Sequence, residues 1–140
     1  MIRTGARILL ALAYGVAGVL HIIKPAPFLA ITPEWVPWPQ MVILFTGVAE
    51  LLGAAGLMVP RTLIGWARPA AGIGLALYAL CVWPANINHA VNHIAINGKA
   101  LGWGYHAPRL VAQPFIIWWA LWASGVIDWP FRRRGPSSGQ

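Results

Sequence analysis

The stretch Met41–Val59, MVILFTGVAELLGAAGLMV, is apolar from end to end except for one charge, Glu50. A transmembrane helix needs about 20 predominantly apolar residues, so this segment is long enough to cross a bilayer. A charged side chain near its middle costs roughly +2.5 to +3.5 kcal/mol on insertion scales and calls for a partner or a purpose. Glu50 has two readings: a protonated or hydrogen-bonded carboxyl that pins helix packing, or a proton relay or ligand anchor.

The rest of the chain shares this character. Charged residues make up 9% of it and hydrophobic ones 59%, against about 25% and 45–50% in soluble domains. A domain of this length cannot hide so much apolar surface from water. Four apolar spans can be drawn, roughly 6–23, 41–59, 65–85 and 110–127. The expected fold is all-α: a polytopic membrane protein, a four-transmembrane-helix bundle forming a single domain over 1–131. Residues 132–140, RRRGPSSGQ, read as a basic, disordered cytoplasmic tail.

The net charge of +7 is unevenly placed. Arg3, Arg7, Arg61, Arg68, Arg132, Arg133 and Arg134 flank one set of span ends, and Lys24, Lys99 and Arg109 the other. Positive residues favour the cytoplasmic side, so both termini and the turn at Pro60–Thr62 are expected there, in a bacterial inner membrane. This pattern is a topology signal, not a nucleic-acid footprint, and its expected partners are anionic lipid headgroups. The basic, apolar N-terminus resembles a secretory signal, but its apolar run reaches Ile23. That exceeds the usual 7–15-residue signal core, which favours a retained span. The lone cysteine, Cys81, rules out an internal disulfide and is expected to be a small buried filler.

Between the first two spans, HIIKPAPFLAITPEWVPWPQ (21–40) is dense in proline and holds Trp35 and Trp38. Proline stops helices and tryptophan favours the headgroup level. A cap on the outer surface is expected, with one short turn at Pro27–Ile31. Beyond Pro84 the third helix is expected to continue, kinked, through Ala85–Ile96, with Asn97-Gly98 as its stop and KALGWGYHAPR as a second outer loop. Each helix presents a seam of small and polar residues through which backbones can approach: Tyr14, Ala17, Gly18 and His21; Thr46, Gly47, Glu50, Gly53 and Ala54; Arg109, Gln113, Ala120 and Ser124.

Rise per residue ranks these groups by depth. Counting from Gln40 and from Lys24 puts Glu50 and Tyr14 both about 15 Å down, near the midplane of a ~30 Å core, with Tyr78 near that level. His21, Asn86, Gln113 and Arg109 fall in a shallower layer, within about 5–6 Å of the outer boundary. The pattern suggests a pocket or proton path open to the outside and ending at Glu50. His89 and His93, at i and i+4, share a helix face and are weak metal candidates, with His21 or His106 as a third ligand. A haem between His21 and His89 or His93 is a further, remoter option.

With those residues in place, the chain resembles the DoxX-like family of small four-helix membrane proteins. The matching stretches, in family order, are GVLHIIKPAPFLAITPEWVPWP (18–39), TGVAELLGAAGLMVPRT (46–62), WPANINHAV (83–91) and RLVAQPFIIWWALW (109–122). The resemblance carries over to His21, Glu50, Asn86, Arg109 and Gln113. Family patterns often place a proline between that arginine and glutamine; here Pro114 follows instead. Members and relatives occur as membrane subunits beside oxidoreductases, including a thiosulfate:quinone oxidoreductase and the methylamine-utilisation system. The resemblance therefore implies an accessory subunit of a redox, quinone-linked system, with a membrane or periplasmic redox partner and quinone as the candidate ligand. The residues alone also allow a small-solute or proton transporter, or a purely structural scaffold. Homo-oligomer formation is compatible with each.

Overall fold

The computed structural model describes residues 1–130, so the expected tail at 132–140 lies outside the described residues. The chain forms four long helices, α1 (Ile2–Ile23), α3 (Pro39–Met58), α4 (Ala67–Val91) and α5 (Trp103–Ser124), and one short helix, α2 (Ala26–Ile31). No strand occurs among the described residues. α1, α3 and α4 are long and apolar enough to cross a membrane. α5 matches α1 in length, but its tryptophans, His106 and Arg109 make it less apolar.

The helix ends follow from local chemistry. Pro39 occupies the start of α3, where no backbone N–H is needed. α3 ends at Val59, held extended (φ −60°, ψ 126°) by the following Pro60. Gly125 closes α5 with a left-handed φ of 83°, its N–H returning to Leu121 and Trp122 carbonyls. α4 runs through Pro84, as expected, but stops at Val91, because His93 turns left-handed (φ 48°) directly after the Asn92 cap. Asn97 and Gly98, both at positive φ, instead form a tight turn bridged by Ile96 and Lys99. α5 starts at Trp103, seven residues before the expected span, so most of the predicted second outer loop is helical.

α1 packs chiefly on α3, and α4 on α5, with α3 against α4 joining the two pairs. Small residues set these distances. A Cβ at Gly18 would lie 2.8 Å from the Gly47 carbonyl oxygen, and one at Gly47 would lie 2.9 Å from the His21 Cβ. Leu75, only 2% exposed, fills the notch over Gly53. At Gly72 the absent Cβ leaves room for the Ser124 hydroxyl and the Ala120 carbonyl.

Polarity is inverted relative to a soluble domain. Leu12, Val16, Phe45, Leu52, Leu77, Val111 and Phe115 face outward, while His21, Glu50, Asn86, His89, His106, Gln113 and Ser124 are buried. Apolar exposure on this scale marks a lipid-contacting surface. The most exposed tryptophans gather at the bundle's two ends, Trp35, Trp38 and Trp103 at one and Trp66 and Trp129 at the other, as headgroup anchors do. Trp122 is instead buried in the core, with the Arg3 guanidinium 5.1 Å from its ring centre. Cys81, expected to be buried, is exposed.

Gly18→Val should destabilise the protein in detergent by about 3 kcal/mol, at the upper end of overpacking costs, because the new methyls meet a backbone carbonyl. Gly74→Ala, with nothing within 4 Å of the new Cβ, should stay within about 0.5 kcal/mol. Thermal and denaturant unfolding of the two variants side by side measures the difference.

Candidate functional site

The close crossing of α1 and α3 also builds the most polar contact in the interior. Glu50, 3% exposed, sits one helical turn from Gly47, opposite the His21 turn of α1. His21 Nδ1 lies 2.8 Å from Glu50 Oε2 and 2.9 Å from the Ala17 carbonyl oxygen. The ring N–H is aimed at the carbonyl of its own preceding turn. Glu50 Oε2 is thus in ionic contact with the imidazole yet accepts no hydrogen bond.

The side chains bridge the two layers that the depth ranking separates: Gly18 is level with Glu50, and His21, three residues on, stands about 4.5 Å nearer the cap and reaches back to the carboxyl. Register between antiparallel helices is fixed by where their backbones touch, not by aligning their outer ends. Gly18 lies against the Gly47–Leu51 turn of α3, and the last turn of α1 meets Gly47 through His21 and Ile22. The space above is filled by the short α2 and its flanks. Phe28 stacks on His21 with ring centres 3.7 Å apart, and Asn88 Nδ2 of α4 donates to the Ile31 carbonyl at 3.0 Å.

On the opposite wall, Gln113 Nε2 of α5 donates to the Ala79 carbonyl at 2.5 Å, and Asn86 Nδ2 donates to Gln113 Oε1 at 3.4 Å. Pro84 lacks the N–H that would serve Leu80, so this side-chain bracket lies in the turn where the α4 ladder is short of a donor. Tyr14 and Tyr78 meet edge to face, 6.0 Å between centres, and the Tyr78 hydroxyl is within hydrogen-bonding reach of the Glu50 carboxyl. The seven residues singled out from sequence, His21, Glu50, Asn86, Arg109, Gln113, Tyr14 and Tyr78, all line one cavity of about 440 Å³. Most of its remaining wall is apolar, including Leu10, Phe28, Ile43, Val82, Ile116 and Trp119. Such a cavity suits an apolar body carrying one or two polar groups.

A second polar group adjoins it. His89 and His106 are 0% and 1% exposed, with rings edge to face at 4.6 Å. Arg109 Nη1 lies 3.0 Å from His89 Nδ1. A guanidinium only donates, so Nδ1 accepts and the neutral His89 ring carries its proton on Nε2. His106 Nε2 lies 2.9 Å from the Leu101 carbonyl, which only accepts, leaving a lone pair on Nδ1. Arg109 also packs over Tyr105, 5.7 Å from its ring centre. His89 and Tyr105 thus hold the guanidinium at the cavity wall. His106 was named from sequence only as a spare metal ligand. Its position beside His89 could not be read there, since i to i+17 spacing across a loop has no periodicity.

The weak metal candidates His89 and His93 do not share a helix face. α4 ends between them, and His93 leaves the helix on its left-handed turn. His89 has no lone pair to offer while Arg109 donates to it. No group of three or more potential His, Cys, Asp or Glu metal ligands occurs among the described residues. A haem between His21 and His89 meets the same obstacle at His89, and His21 is engaged by Glu50, Ala17 and Phe28.

Residues 10–124 match the family described as Domain of unknown function (DUF8561). That match runs from Leu10 in α1 to the end of α5 and takes in the whole cavity, and the chain belongs to this family. No curated protein and no solved structure gave a match.

Gln113→Leu should leave the Asn86 amide and the Ala79 carbonyl without their side-chain partner and destabilise the fold by about 1–3 kcal/mol. His89→Gln, which can keep an acceptor for Arg109, should cost less than His89→Leu. Unfolding midpoints of the three variants in one detergent test both expectations.

Proposed function

We propose that this member of the DUF8561 family is a four-span inner-membrane protein that binds a lipid-like molecule of the quinone class and serves as an accessory subunit to a redox partner. In this reading α5 is the fourth span, with Gln113 and Ser124 turned inward and Val111 and Phe115 outward. Both termini lie on the cytoplasmic side, in keeping with the arginines gathered at that end. The DoxX-like resemblance points the same way.

One observation carries the proposal. One cavity is lined both by the buried Glu50 carboxyl beside His21 and by the Arg109 guanidinium held by His89, in a wall that is mostly apolar. A quinone has the matching form, an apolar body with carbonyl oxygens that accept hydrogen bonds. Its two-electron reduction also takes up two protons, the electrons coming from the partner oxidoreductase. Arg109 would donate to a ring oxygen and fix the head. Glu50, with His21 at 2.8 Å, would carry a proton between the outer end of the bundle and the buried head.

Trp35 and Trp119 line the cavity and report on its occupancy. Titrating the purified protein with a short-chain ubiquinone or menaquinone analogue should quench tryptophan fluorescence and raise the unfolding temperature. Arg109→Ala should weaken binding by about tenfold or more, the equivalent of one lost charge-assisted hydrogen bond. Glu50→Gln should bind the analogue yet lower partner-coupled quinone reduction. A flat titration with wild-type protein rejects the quinone reading. Proteoliposome flux abolished by Glu50→Gln would instead establish a transporter, and full partner function in Glu50→Leu a scaffold.

A further inference from the structure

The opposite end of the bundle gathers positive charge that the described residues do not offset. Arg61 sits two residues past Val59, whose carbonyl Arg68 caps, and Arg7 of α1 feels the charge of both. Nearby, the Arg61 and Arg3 guanidinium groups converge on Gly125, where a Cβ would touch Arg61 Nη2 and lie 3.9 Å from Arg3 Nη1.

Arg3 is balanced: it pairs with Asp128 at 2.6 Å and donates to the Ile127 carbonyl at 3.1 Å. The other three are not. Arg61 donates to the Ser124 carbonyl at 3.3 Å and Arg68 to the Val59 carbonyl at 2.8 Å, contacts that cap the C-termini of α5 and α3 without neutralising charge. Arg7 makes no hydrogen bond or ion pair among the described residues, and the Nε atoms of Arg7 and Arg68 are buried without partners.

The whole chain holds three acidic side chains: Glu34, Glu50 and Asp128. Asp128 is taken by Arg3, and Glu50 lies in the cavity beside His21. Glu34 belongs to the cap beyond Ile23, sixteen residues along α1 from Arg7, or about 24 Å of helix. No acidic side chain of this protein is left to offset three clustered guanidiniums. Among the described residues none supplies their counter-charge.

We propose that Arg7, Arg61 and Arg68 form a binding site for the phosphate of an anionic phospholipid headgroup. Guanidinium forks match phosphate oxygens in pairs, and basic pockets between helix ends at the cytoplasmic surface hold such headgroups. The exposed rings of Trp66 and Trp129 flank the cluster and set it at headgroup level, where phospholipid phosphate is the abundant anion. The proposal goes beyond the cavity reading and shares with it only the placement of the bundle in a bilayer.

The test compares phosphatidylglycerol with zwitterionic phosphatidylcholine, each added to delipidated protein in detergent. Phosphatidylglycerol should raise the unfolding temperature more than phosphatidylcholine and remain bound in native mass spectra. Arg7→Gln should lose most of that difference, and Lys24→Gln, at the other end of the bundle, should keep it. Should Arg7→Gln fail to fold, Arg68→Gln is read the same way. Equal gains from the two lipids, or a full phosphatidylglycerol gain in the folded arginine variant, overturns the site. Inorganic phosphate should give no gain; a gain as large as that from phosphatidylglycerol, lost in Arg7→Gln, overturns the lipid assignment in favour of free phosphate.

Discussion

The backbone contact between Gly18 and Gly47 governs most of what is distinctive in this molecule. In a hydrocarbon surrounding there is no water to drive helices together, and close packing of small residues takes over that role. Once those two turns touch, the height of α1 against α3 is set. His21 comes within side-chain reach of Glu50, and α2 covers it through Phe28. The cavity is a by-product of that register.

Much of this was legible in the sequence. The all-helical class, the membrane-length apolar helices α1, α3 and α4, the continuation of α4 through Pro84 and the inward seams all follow from apolar run length and from small residues at helical spacing. The membership of the cavity was legible too, because a bundle with so few polar residues has few places to put them. What escaped was side-chain reach and termination. Rise per residue measures depth along one helix, and it does not show that the His21 side chain reaches back across a layer to Glu50. The end of α4 escaped because Asn92 and His93 carry no glycine or proline signal; a histidine in a left-handed turn is uncommon and cannot be read from periodicity. Cys81 was misplaced because a residue's small size says nothing about which side of a helix it occupies.

The two ends of the bundle handle charge in contrasting ways. At the capped end, polar side chains turn inward and satisfy one another: Arg109 with His89, Asn86 with Gln113, Asn88 with the Ile31 carbonyl. At the other end, arginines reach back to helix C-terminal carbonyls, where the macrodipole favours positive charge. A chain with three acids cannot build conventional ion-pair networks. It relies on carbonyls, amides and neutral imidazoles as acceptors, which work in a low-dielectric setting because none adds a further buried charge.

The meeting of Gly72 and Ser124 has an evolutionary corollary. The serine hydroxyl occupies the volume that any side chain at position 72 would need, while it donates to the Leu121 carbonyl within its own helix. The two positions therefore share one allotment of space between α4 and α5. Among relatives they should vary as a pair, a bulkier residue at 72 appearing with glycine at 124. Such covariation would register the helix contact in a family alignment without any coordinates at all.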